Sequence, residues 1–465
     1  MGHEVPGNDV IESFELRVSG SLFAQFDAEL RSGPRDDDEF EQAGFLFCGI
    51  ARPEDRLLLV AQRWRSVPRA ARVQRPDYGL AWSARFNAEV LDEADALHAA
   101  PVLIHRHEWG EEARLSRKDR ATGDPMLARM SALADRGIAA SVVLHLATAA
   151  GLFWSGGQLA GNLGRLRIVG APLRDVYPTV AAPAAIRPRL HRQTLAIGPE
   201  SDAKLARAKV AVVGLSGGGS HVVQQLAHAG VDTLLLVDDD LVAESNRGRV
   251  VGTRHDDDGK LKTEVMERLV KGIDPNIVVR AVPQQSSTAQ GIAAIREADV
   301  VVACVDRFDA RAEINALARR YLIPLIDIGM TLESQHEVLK SATGQATLTM
   351  PGAPCVRCTA LVSDAALEQE RRLAPPGYDR NPNAPGQAQV VSMNGLLASQ
   401  AVTVVLAVLT GYTHQSLLGS GAWWQYDALE GQLDYSPITY RRPHCPGCSE
   451  EAQGDLWFTT LGERS

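Results

Sequence analysis

The chain has 465 residues, long for one hydrophobic core and sufficient for two domains. Its 45% hydrophobic and 23% charged content is that of a globular protein, and a formal net charge of −9 argues against non-specific nucleic-acid binding. No run reaches about 18 apolar residues, and the six cysteines form no disulfide framework, so a cytoplasmic protein without a membrane partner is expected.

Residues 1–20 read as a short lead-in, and 21–172 as a first domain. Within it, SLFAQFDAEL is an apolar stretch, and AGFLFCGIA and Leu57 to Trp64 read as strands. A helix then feeds the buried strand PVLIH, ARMSALADRG is a helix closed by glycine, and AASVVLHLATAAG is strand-like. His105 and His107 stand one residue apart at a strand end, with Asp119 shortly after. Two histidines and an aspartate make a three-ligand zinc site whose fourth position is open. Glu41, ahead of AGFLFCGIA, suits a base, and Ser116 suits a donor to a developing oxyanion. Residues 173–188, rich in alanine and proline, read as a linker.

From residue 189 to 465 the pattern becomes strand, glycine loop, helix, strand, repeated. That is a parallel α/β pattern, with apolar strands covered by helices. Gly214 to Ser220 follows a strand and opens a helix, so backbone N–H groups there can meet phosphate. The next strand ends in Asp238, Asp239 and Asp240, placed to accept ribose hydroxyls. Up to this point a NAD-type oxidoreductase fits equally well. Asn246, Arg249 and Lys262 then favour a triphosphate over a nicotinamide, and Asp306 is placed at a strand end where it can hold Mg2+. Cys355 and Cys358 form one CxxC pair and Cys445 and Cys448 a second, the usual donors of a closed, structural four-thiolate zinc site. Between them, 361–390 reads as a mobile crossover loop and MNGLLASQAVTVVLAVLTG as a long core helix.

About residues 190–450 resemble the E1-like adenylyltransferases of the ThiF/MoeB type. The resemblance rests on Gly214, Gly217, Gly219 and Ser220 for the glycine loop, Asp240 for the ribose acid, and Asn246, Arg249, Lys262 and Asp306 after it. Ser216 stands where that family usually has glycine. The resemblance implies a Rossmann-like domain that uses ATP and Mg2+ to adenylate the C-terminal glycine of a ubiquitin-like or sulfur-carrier protein. It also implies a homodimer, with Arg192 reaching into the partner subunit's site. Between Cys358 and Cys445 the chain has no cysteine to take the acyl group, so it stops at the adenylate or passes it to a separate E2-like or cysteine acceptor protein.

About residues 20–170 resemble the JAB/MPN+ (JAMM) metalloproteases, on Glu41, the strand Gly44 to Gly49, His105, His107, Ser116 and Asp119. This implies an α/β MPN-like domain with a catalytic Zn2+ that trims or deconjugates the same ubiquitin-like protein. A non-catalytic scaffold that keeps both folds is the alternative.

Overall fold

In the computed structural model the described residues are 13–31, 42–53, 55–73, 81–107, 112–180, 187–359, 361–373, 388–413 and 421–455. They form two compact units. The first comprises residues 1–168, 174–182 and 452–465, and the second 169–173 and 183–451.

The first unit runs β1 (Ser13–Ser19), α1 (Gly20–Arg31), β2 (Ala43–Ala51), β3 (Leu57–Ser66), α2 (Ala84–Ala96), β4 (Ala100–Arg106), α3 (Arg117–Leu133), β5 (Ile138–Leu144), β6 (Ala149–Ser155), β7 (Gln158–Val169) and β8 (Arg174–Val176). The strands form one sheet in the order β1-β3-β2-β4-β5-β6-β7-β8, and β1 also pairs with β7, so the sheet closes on itself as a barrel. Closure removes the open edges that would otherwise invite pairing with another chain. β2 shows why its sequence is continuously apolar. Leu46, Cys48 and Ile50 enter a core with Phe14, Leu59 and Ile104. Phe45 and Phe47 enter a second core with Phe86 and Val90 of α2 and Leu127 and Met130 of α3. A strand buried on both faces has no polar alternation to show.

Three segments depart from the sequence reading. Ser13–Ser19, inside the expected lead-in, is a strand that pairs in parallel with β3. β8, inside the expected linker, pairs with β7 through Leu166 and Val176. Residues 452–455, expected to belong to the second domain, bridge to the end of β2 at Ile50 and Gly454. A Cβ on Gly49 would come within 2.3 Å of the Ala452 carbonyl oxygen, so that close approach requires glycine.

The second unit runs α4 (His191–Ile197), α5 (Pro199–Leu205), β9 (Lys209–Val213), α6 (Gly217–Ala229), β10 (Thr233–Val237), α7 (Lys262–Ile273), β11 (Val278–Val282), α8 (Ala289–Glu297), β12 (Val300–Ala303), α9 (Phe308–Arg320), β13 (Leu325–Gln335), β14 (Val338–Thr349), α10 (Asp364–Leu373), α11 (Val391–Thr410), β15 (Gly421–Asp427) and β16 (Gln432–Pro437). The sheet order is β11-β10-β9-β12-β13-β14-β15-β16. Pairing is parallel from β11 to β13 and antiparallel beyond. This is a Rossmann-like order with its switch point between β9 and β12, where the chain leaves the two neighbouring strands in opposite directions and a crevice opens. α11 is long and apolar enough to cross a membrane, yet it packs here on α6, α5, β13 and β14, burying Leu397, Ala401, Val405 and Val408. The expected crossover loop contains α10, and residues 374–387 of it lie outside the described residues.

Candidate nucleotide site and metal centres

The glycine loop leaves β9 at the switch point. Gly214 has φ +87°, and a Cβ there would meet the Cys304 carbonyl oxygen at 2.7 Å. A Cβ on Gly219 would sit 1.8 Å from the Gly214 carbonyl oxygen. Both positions need glycine for the turn to close against the loop after β12. Ser216 has φ −82°, outside the left-handed region that favours glycine. Gly217 opens α6, and the free N–H groups of that first turn face the crevice side of the sheet.

The two acidic residues after β10 have different surroundings. Asp238 is buried, and its carboxylate accepts the Leu215 N–H at 2.6 Å and the Asp240 N–H at 2.8 Å. It therefore latches the glycine loop to the end of β10. Burial raises its pKa, against the pull of Lys262. Asp240 is exposed and receives the Lys262 Nζ at 2.6 Å, while the same nitrogen lies 3.8 Å from Asp238. Lys262 begins α7 and is itself only 4% exposed, so its charge is confined to the crevice.

Between these points the chain carries Asn246 and Arg249. The Asn246 side-chain oxygen accepts the Ala243 N–H, and Arg249 Nη1 donates to the Ser245 carbonyl at 2.8 Å. Ser220 is fully buried. Its hydroxyl donates to the Gly217 carbonyl at 3.2 Å and accepts the Val251 N–H at 3.0 Å, fastening this loop to α6. Asp257, which the sequence reading missed, fastens its far end. It is fully buried and accepts from Arg254 N–H, Lys260 and both Nη atoms of Arg268. Those contacts, Arg268 first, hold its carboxyl below the usual range. Asp306 is exposed in the loop between β12 and α9, three residues beyond the end of the strand expected to carry it.

Arg192 does not join this group within one chain. It is exposed on α4, which is held at the other end of α6 by Arg189 donating to the His228 carbonyl and Gln193 to the Ala229 carbonyl. The 13 residues of α6 separate that end from the glycine loop, roughly 20 Å at the helical rise per residue.

A family match covers residues 190–447, from α4 to within the second CxxC pair. The chain belongs to the ThiF family. Among similar proteins, the SAMP-activating enzyme E1 of Haloferax volcanii is 30% identical over 271 residues, 55% of this chain and 85% of its own length. The sulfur carrier protein adenylyltransferase of Thermus thermophilus is 30% identical over 268 residues, 57% of this chain and 91% of its own. The molybdopterin-synthase adenylyltransferase of Escherichia coli is 28% identical over 268 residues, 56% of this chain and 96% of its own.

The ThiF unit also brings the four expected cysteines together. Cys355 Sγ lies 4.0 Å from Cys358, 3.7 Å from Cys445, and Cys358 lies 3.6 Å from Cys448. Four sulfurs at about 2.3 Å around zinc would be about 3.8 Å apart, so this donor set fits a tetrahedral ion. The Cys448 thiol, with Arg319 close by, lowers the Cys355 pKa, and the same coupling raises that of Cys448. Buried Asn315 and Arg319 of α9 hold the first knuckle through Val356 N–H and the Pro354 carbonyl.

The ThiF match leaves out residues 1–189, and a second donor cluster lies among them. His105, His107 and Asp119 are all buried, with donor atoms within 4.8 Å of one another. Asp119 Oδ2 lies 3.5 Å from His105 Nε2 and 3.3 Å from His107 Nε2. Burial opposes the ionised carboxylate, but the two imidazoles outweigh it and hold its pKa well below the usual range. His105 Nε2, the ring nitrogen facing Asp119, is buried without a hydrogen bond, which suits a metal ligand. Ser116 caps α3: its hydroxyl accepts the Asp119 N–H at 3.1 Å, and Asp119 Oδ2 accepts the Ser116 N–H at 2.7 Å. The Ser116 to Asp119 spacing also makes a capping box, which holds Asp119 beside the histidines. Glu41 lies outside the described residues.

Proposed function

We propose that this ThiF protein uses ATP to adenylate the C-terminal glycine of a small ubiquitin-like or sulfur-carrier protein. The observation that carries this reading is the family match over the whole nucleotide-binding sheet, with Lys262, Asp240 and the glycine loop gathered at its switch point. The relatives named above, an E1 and two adenylyltransferases, support the same reaction.

In this reading the substrate carboxylate attacks the α-phosphorus of ATP, the bond to the β-phosphate oxygen breaks, and pyrophosphate leaves. The carboxylate is already ionised, so the chain supplies alignment and charge rather than a base. The loop N–H groups and the first turn of α6 cradle phosphate, Asp240 takes the ribose, and Lys262 exchanges Asp240 for phosphate oxygens. Arg249 and Asn246 bind alongside, Asp306 would hold Mg2+, and Arg192 is supplied by the second copy of a homodimer. Lacking a cysteine between Cys358 and Cys445, the chain releases the adenylate to an acceptor on another protein.

For the first unit the reading is a zinc peptidase of the JAMM type acting on the same partner, favoured by the buried His105, His107 and Asp119 cluster. Zinc held there would supply Lewis acidity; Ser116 and the α3 cap keep Asp119 oriented, and Glu41 would serve as the base.

Intact mass of a ubiquitin-like protein from the same host, incubated with the full chain, ATP, Mg2+ and zinc, tests both. Added AMP is expected with the native chain and reduced about 100-fold or more by Lys262→Ala. Loss of tail residues, absent with Glu41→Ala, is expected from the peptidase. An AMP adduct that survives Lys262→Ala unchanged would overturn the nucleotide-site assignment, and an intact tail the peptidase.

A further inference from the structure

β4 and β5 run in parallel, with His105 opposite Val143 and Arg106 opposite Leu144. The ladder continues one step, because the His107 N–H donates to the Leu144 carbonyl at 2.9 Å. The next residue on β5's side is His145. Side chains that sit opposite each other on neighbouring strands point to the same face, and their Cα atoms are roughly 5 Å apart.

The face can be read from the cores. Ala140, Val142 and Leu144 enter the core that holds Val102 and Ile104. Ala139 enters the other core, with Leu103 and with Leu127 and Met130 of α3. Ser141 lines a small cavity with His105 and Asp119. The odd-numbered residues of β5 therefore share the face of His105, His107 and Asp119, and His145 continues that series.

His145 is 8% exposed, and its Nε2 is buried without a hydrogen bond. Such an atom calls for an explanation in a folded protein. Its backbone is fixed: the His145 N–H donates to the Thr148 carbonyl at 3.0 Å. The Thr148 hydroxyl in turn accepts the Ala113 N–H at 2.7 Å, pinning the segment that leads to Ser116 and Asp119. Yet the donor atoms gathered within 4.8 Å are those of His105, His107 and Asp119, without His145.

We infer that His145 is a fourth side chain of this centre, held outside the ligand set and offering its Nε2 to the group that occupies the position three protein ligands leave open. This rests on the reading of His105, His107 and Asp119 as a zinc centre.

The test is a zinc titration of the full chain carrying histidine labelled at Cε1, followed by NMR, with resonances assigned from single His→Gln variants. The His105, His107 and His145 signals should all shift as the site fills. His145→Gln should retain the zinc equivalent that Asp119→Ala loses. A His145 signal that stays still while the other two move overturns the proposal and leaves the zinc centre standing. Loss of zinc in His145→Gln to the extent seen in Asp119→Ala also overturns it, by making His145 a ligand. No shift in any of the three removes both readings.

Discussion

Single residues in the ThiF unit carry sharply different constraints, and the glycines show it best. Gly219 lies under the turn of the glycine loop, and an added Cβ would sit 1.8 Å from the Gly214 carbonyl oxygen, a backbone atom that cannot step aside. Gly219→Ala is therefore expected to destabilise the unit by about 1–3 kcal/mol, as overpacking does, and to abolish AMP transfer. Gly272, in α7, has open space around its Cα, so Gly272→Ala should stabilise the same unit by about 0.5–1 kcal/mol. Urea unfolding of the two variants measures both; equal signs would contradict this account of the loop. At this scale the sequence was informative about residue types and less so about their duties. The run Asp238 to Asp240 offered equivalent carboxylates for a ribose. Burial divides them, because Asp238 spends both oxygens on backbone N–H groups while Asp240 remains exposed beside Lys262.

Elements are held by contacts that periodicity does not reveal. The segment from Asn246 to Lys262 has no core of its own, and buried Asp257 anchors it through Arg268, Lys260 and the Arg254 N–H. Because its folded pKa lies below the ordinary 3.8, it binds fewer protons folded than unfolded near that value. Its stabilisation is complete above the unfolded pKa and is lost as pH falls below about 4. Asp257→Asn should therefore lower the thermal midpoint at pH 7 and flatten its fall toward pH 3; a parallel pair of curves would sink the assignment. The two cysteine pairs make a comparable anchor at 90 residues' separation. Cys445→Ser is expected to remove one zinc equivalent, by elemental analysis, and to lower the melting temperature without changing any metal binding at His105 and His107. The strand–helix alternation of the ThiF sheet, the glycine loop and both CxxC pairs were legible because each is local. β1 and the segment at Gly454 were not, because each becomes a strand or bridge only by pairing with residues distant in sequence, and β8, at three residues, is too short to show a period. The Ser116 to Asp119 spacing was legible but ambiguous, since a capping box and a catalytic pair share it.

At the scale of the whole molecule, Arg192 lies on α4, away from the glycine loop of its own chain. Tied to the far end of α6, it cannot swing roughly 20 Å to the glycine loop of its own subunit without unpacking α4. A two-fold dimer removes the difficulty, because a patch on each subunit meets the other's site reciprocally. Arg192→Ala homodimers should transfer little AMP, and so should Lys262→Ala homodimers. When the two are dissociated, mixed in equal amounts and reassociated, half of the dimers pair one of each. In each mixed dimer, one site keeps Lys262 of its own subunit and receives Arg192 from the other, while its companion site loses both. About a quarter of native activity should then return. Activity that stays at the level of the separate variants would place Arg192 outside the chemistry or make it act within its own subunit.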